Sequence, residues 1–74
     1  MEEIEKLKVE YKDGEVEIWG NRAGLRDLGE ICLGLSELTD EQAKTAANHY
    51  HIDEHMGNAE PGSVSLLITL KVNL

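Results

Sequence analysis

Leu7-Lys8-Val9-Glu10-Tyr11-Lys12-Asp13-Gly14-Glu15-Val16-Glu17-Ile18-Trp19-Gly20-Asn21 is the stretch whose reading decides the fold. Leu7, Val9 and Tyr11 alternate with charged residues, the period of a strand with one buried face. Asp13-Gly14 breaks the run with two residues that tolerate positive φ, which signals a two-residue hairpin turn. Val16 and Ile18 then resume the alternation against Glu15, Glu17 and Trp19. Gly20 ends the second strand, and Asn21 has the side chain of a helix N-cap.

Beyond Asn21 the period changes from two to that of a helix. Leu25, Leu28, Ile31, Cys32, Leu35 and Leu38 fall on one arc of a helical wheel, with Arg26, Asp27, Glu30 and Glu37 opposite. Gly24 lies within the apolar arc and Gly29 at its edge, where a missing side chain lets a helix approach a sheet. Gly34, on the polar side, has no such reason. Cys32 lies on the apolar arc and reads as a buried thiol. Leu33 is an apolar misfit among the polar positions.

The C-terminal half supplies two more strands. Thr39-Asp40-Glu41-Gln42 has capping-box spacing, so a short second helix or a helical lead-in follows it. Tyr50 and Ile52 alternate with His49 and His51. Glu60-Pro61-Gly62-Ser63 fits a type II turn. Val64, Leu66, Ile68, Leu70 and Val72 then form one face of a last strand, with Ser65, Leu67, Thr69 and Lys71 on the other. The order β-β-α-(α)-β-β predicts one α+β domain over residues 1–74. Its core is a four-stranded, largely antiparallel sheet with one main helix packed on one face.

Composition narrows the function classes. The 74 residues hold 15 acidic and 7 basic side chains, a net charge of −8. That balance argues against nucleic acid, whose phosphates need a basic surface, and against anionic membranes. It suits a basic protein partner, or simply keeps a small protein soluble. The start Met1-Glu2-Glu3-Ile4-Glu5 is acidic and lacks the apolar core of a signal peptide. With a single cysteine, this points to a cytoplasmic protein. A chain of 8.2 kDa has an expected folded surface of roughly 4,500 Å² and a thin core.

The alternation also assigns the uncovered face of the sheet, which carries Trp19, His49, His51 and Leu67. Tryptophan in the open is enriched at interface hot spots, although Trp19 could instead fold over the sheet edge or under the second helical segment. All three histidines lie within His49-Tyr50-His51-Ile52-Asp53-Glu54-His55. Three functional readings compete there. His49, His51 and Asp53 share one side of a strand and suit zinc or nickel, with His55 folding in. A histidine oriented by Asp53 or Glu54 could act as a general base. The imidazoles with Asp53, Glu54 and Glu60 also make a polar acidic rim for recognition. A plain solvated strand remains beside all three.

His49-x-His51-Ile52-Asp53, a loop containing Gly57, Pro61-Gly62-Ser63 and an apolar strand resemble a family of small immunity proteins from bacterial polymorphic toxin systems. Asn21-Arg22-Ala23-Gly24-Leu25-Arg26-Asp27-Leu28, opening a helix after a hairpin, is similar to the same family. The resemblance runs from about Leu7 to Leu70, and the Leu38–Asn48 segment is longer than the pattern. It implies a non-enzymatic inhibitor that binds a cognate, basic toxin in the producing cell. The resemblance does not say which residues bind; the outer-face reading selects Trp19, His49, His51, Asp53, Glu54 and Leu67 as the expected contacts, with no cofactor. The alternative is a small metal- or ligand-binding domain using His49, His51 and Asp53. A homodimer is compatible with either.

Overall fold

In the computed structural model, which describes residues 3–73, the first hairpin forms as read. β1 (Leu7–Lys12) pairs antiparallel with β2 (Glu15–Gly20). Asp13 and Gly14 both have positive φ, 55° and 81°, and sit between the paired Lys12 and Glu15. This is the mirror-image turn that matches the twist of a two-residue hairpin.

Asn21 then joins three segments. Its Oδ1 accepts from the Gly24 amide at 2.8 Å, capping α1 (Arg22–Ser36), and from Lys6 N at 3.1 Å. Its Nδ2 donates to Ile4 O at 2.7 Å. Gly24 is buried against the same N-terminal segment, and a Cβ there would collide with the Lys6 carbonyl. The close approach expected of Gly24 is therefore real. Gly29 faces open space, so its expected packing role is not.

The capping box forms between Thr39 and Gln42: Thr39 N donates to Gln42 Oε1, and Gln42 N to Thr39 Oγ1. It opens only a 3-10 turn, Gln42–Lys44, followed by a second, Ala46–Asn48. The Thr45 hydroxyl bonds Gln42 O and accepts from Ala47 N, local bonds that compete with a continuing helix. The segment is a lead-in to β3 (His49–Ile52), not a second α-helix. β3 pairs antiparallel with β4 (Leu66–Thr69).

The single four-stranded sheet does not form. There are two two-stranded sheets. They are joined through the segment before β4, where Glu60 N donates to Leu7 O, Val64 N to Val9 O, and Val9 N to Ser63 Oγ. The physical reason lies in the Pro-Gly turn. Gly62 has φ 85° and Ser63 N bonds Glu60 O, so four residues are spent against two of β1, and Pro61 has no N–H to give. A continuous ladder cannot cross that turn.

The core is small. Leu7, Val9 and Ile52 are buried in one cluster, with Leu28, Ile31, Ala59, Leu66 and Ile68 packed on it; Ala43 is buried as well. Both hairpins therefore turn their inner faces to one core. Coverage of that face is incomplete. Tyr11, Val16 and Ile18 are exposed although they belong to the inner row, as are Leu25, Val64 and Val72. Cys32 is also exposed, against its reading as a buried thiol. The cause is that α1 engages the core through Leu28 and Ile31 only, so the contact arc is narrower than the apolar arc.

The molecule is a slab of 36 × 35 × 19 Å. Its surface is 5820 Å², about 1,300 Å² more than the scaling for this mass. Among the described residues no helix is long and apolar enough to cross a membrane.

Candidate partner-binding surface

With the inner faces on one core, the outer faces of the two hairpins lie on the opposite side. Cross-strand partners in an antiparallel pair share a face. The outer row of the first hairpin therefore holds Trp19 opposite Lys8 and Glu17 opposite Glu10. The outer row of the second holds His49 opposite Thr69 and His51 opposite Leu67. Trp19 is 44 % exposed and Leu67 56 %. Trp19 is thus not buried. His51 is exposed and His49 half-buried. Their rings meet edge to face at 5.0 Å, and His49 Nδ1 lies 3.1 Å from Asn48 Oδ1.

A short path of contacts links the two rows. The Lys8 side chain runs beside Gly62. Gly62 N donates to Glu54 Oε1 at 2.9 Å. Trp19, Lys8 and Glu54 therefore follow one another along the outer side.

Asp53 and Glu54, expected in an acidic rim, are also tied into the loop. Asp53 Oδ1 accepts from Met56 N at 2.7 Å, an Asx turn that opens the loop after β3. Glu54 ties that loop to the Pro-Gly turn. Each carboxylate is engaged by the loop itself through one oxygen.

Asp53's engagement also bears on the metal alternative. Its carboxylate closes a turn rather than joining the imidazoles. Among the described residues no three His, Cys, Asp or Glu side chains converge on a point that would hold a metal ion. His55 stays out in the loop, where it lines an open cleft of about 430 Å³ with Asp53, Glu54, Ser63 and Ser65. Ser63 Oγ accepts from Val9 N, so this hydroxyl is part of the inter-hairpin join.

Asn58, which organises this surface, carries no sequence signal, and Ser63, legible as a turn residue, carries none for its bond to β1. Asn58 Oδ1 accepts from Asp53 N and its Nδ2 donates to His51 O, both at 2.9 Å. It fixes the end of β3 and thereby the direction of His51. Ser63 does the equivalent for β1. An Asx-type residue six positions after a strand predicts no partner by spacing alone, because both its bonds depend on how the loop folds back.

No curated protein and no solved structure gives a match to this chain. A family model does: the one described as Immunity protein 32 matches residues 15–71. The match takes in β2, α1, the histidine strand, the Pro-Gly turn and β4, and so includes Trp19, His49, His51 and Leu67. The chain belongs to the Immunity protein 32 family.

Proposed function

We propose that this protein is a non-enzymatic inhibitor that neutralises a cognate toxin in the cytoplasm of the bacterium that makes both, by covering a basic surface of the toxin with its outer face. Family membership supports the immunity class. The observation that carries the choice of face is the exposure of Trp19 on the first hairpin, and of Leu67 opposite His51 on the second, on the sides turned away from the core. An exposed aromatic, an aliphatic side chain and adaptable imidazoles are the materials of an interface centre. Asp53 and Glu54 stand at its rim. The net charge of −8 steers such a chain toward a basic partner and speeds encounter.

The test is binding to the toxin encoded beside this gene. Trp19→Ala is expected to weaken the complex by about 30-fold or more, that is by over ~2 kcal/mol, with the free protein still folded. Raising the salt concentration is expected to slow association by about tenfold or more. Absence of a complex with the neighbouring toxin overturns the inhibitor reading. Full affinity in Trp19→Ala moves the interface elsewhere.

A further inference from the structure

We propose that the free edge of β2 receives an extended segment of the toxin as an added strand, and that this segment alternates Lys or Arg with apolar residues. The proposal rests on the reading of the chain as a toxin-binding protein and names how the toxin is held.

The register of the first hairpin fixes which main-chain groups point outward. The turn-flanking pair Lys12–Glu15 is hydrogen-bonded in a two-residue hairpin, so bonded pairs recur at Glu10–Glu17 and Lys8–Trp19. Leu7 and Val9 then point away from β2, and their bonds to Glu60, Val64 and Ser63 confirm this phase. By the same alternation, the N–H and C=O groups of Val16 and Ile18 point away from β1. No described strand pairs with that edge.

The edges of β1 and β3 are engaged at some of their main-chain groups. β1 is joined by the segment before β4. At β3, His51 O already accepts from Asn58 Nδ2, which blunts that edge. β2 is left open over six residues, with no Pro or Lys to guard it.

Side-chain chemistry selects the occupant. On the inner side, Val16 is 57 % exposed and Ile18 37 %. An added strand would extend this apolar row with its own apolar side chains. On the outer side it would lie beside Glu15, Glu17 and Trp19. Basic side chains there pair with the glutamates, and an Arg can stack on the indole. A second copy of this chain fits poorly, because it brings the same glutamates and another net charge of −8 to the same edge. The glutamates therefore exclude self-pairing while admitting a basic strand.

The test is amide hydrogen exchange of the intact chain, read residue by residue, with a defined probe. The probe is a capped peptide alternating Arg and Val, about eight residues long. Added at up to about 1 mM, it is expected to slow exchange at Val16 and Ile18 at least about tenfold. The same peptide with Glu in place of Arg is expected to change these amides by less than about twofold. Val16→Pro deletes an outward N–H and leaves the ladder to β1 intact; it should weaken peptide binding about tenfold or more. Glu17→Lys should weaken it about threefold or more. If Val16→Pro does not fold, exchange in the unaltered chain and the Glu17→Lys result decide alone. The proposal is overturned if Val16 and Ile18 keep their exchange rates in the basic peptide, or if the acidic peptide protects them equally. Protection that grows with protein concentration and needs no peptide also overturns it, by identifying a second copy as the occupant. None of these outcomes involves the toxin, so failure here leaves the Trp19 experiment standing, and failure there is recognised separately.

Discussion

The two hairpins solve one problem in different ways. β1 and β2 are joined by Asp13 and Gly14 alone, whereas β3 and β4 are joined by the 13 residues 53–65. The first connection holds its shape through backbone preference, with two positive-φ positions filled by residues that accept them. The second is held by side chains: Asp53 on Met56 N, Asn58 on Asp53 N and His51 O, Glu54 on Gly62 N, and Ser63 on Val9 N. Ordering a long connection costs more conformational entropy than closing a tight turn. Those specific bonds offset the cost, and they also bind the second hairpin to the first.

The sharpest challenge to this contrast is to ask whether the second hairpin can be lost alone. Ile52 is 1 % exposed and packs in one cluster with Val9 and Leu7. Ile52→Ala is expected to cost about 2–5 kcal/mol, a large share of the stability of so small a domain. Because the cluster is common to both hairpins, amides of β1 and β3 should lose exchange protection together. Persistent protection of β1 with β3 open would show that the two sheets fold as separate units.

A more selective challenge removes one side chain from the long connection. Asn58→Ala leaves Asp53 N and His51 O, one part-buried and one exposed, without their partners, at a cost of about 0.5–1.5 kcal/mol per bond. Its effect on the free protein should be local, with faster exchange in the connection and β3 and little change at Asp13-Gly14. Asn58→Asp keeps the acceptor for Asp53 N and loses the donor to His51 O, so it should lie between the two. If thermal unfolding of Asn58→Ala matches the parent, the connection is held by something other than these bonds.

The same contrast sets what was legible in the sequence. Elements built from neighbours along the chain could be read. The Asp-Gly turn, the Asn21 cap, the Thr39–Gln42 box and the Glu60–Ser63 turn each depend on residues within four positions, and each is present. Which residues share the outer face also followed, because alternation fixes the sides of a strand. Elements that depend on distant packing were not legible. Val16 and Ile18 alternate as buried residues do, yet α1 leaves them exposed. The extent of the last strand was overestimated for the same reason, since Val64 and Val72 lack anything to pack on. Pro61-Gly62 was readable as a turn, but its consequence, the splitting of one sheet into two, required knowing that β1 lay alongside. Asp53 and Glu54 were visible as acids; their engagement by loop amides was not.

The smallest effect tests whether α1 belongs to either side of the comparison. The helix is anchored at its start by Asn21 and Gly24 against the N-terminal segment, and reaches the shared cluster through Leu28 and Ile31. Gly29 lies between those two contacts, and its missing side chain faces open space. Gly29→Ala should therefore stabilise the fold by roughly 0.5–1 kcal/mol, through helix propensity and a less flexible unfolded chain. The gain would raise the thermal midpoint without altering the difference in exchange between the short turn and the long connection, because a stiffer α1 favours the common core and neither hairpin in particular. Gly24→Ala is the opposing control, since a Cβ there meets the Lys6 carbonyl and should lower the midpoint. If Gly29→Ala slowed exchange in β2 alone, α1 would be a support of the first hairpin rather than of the shared core.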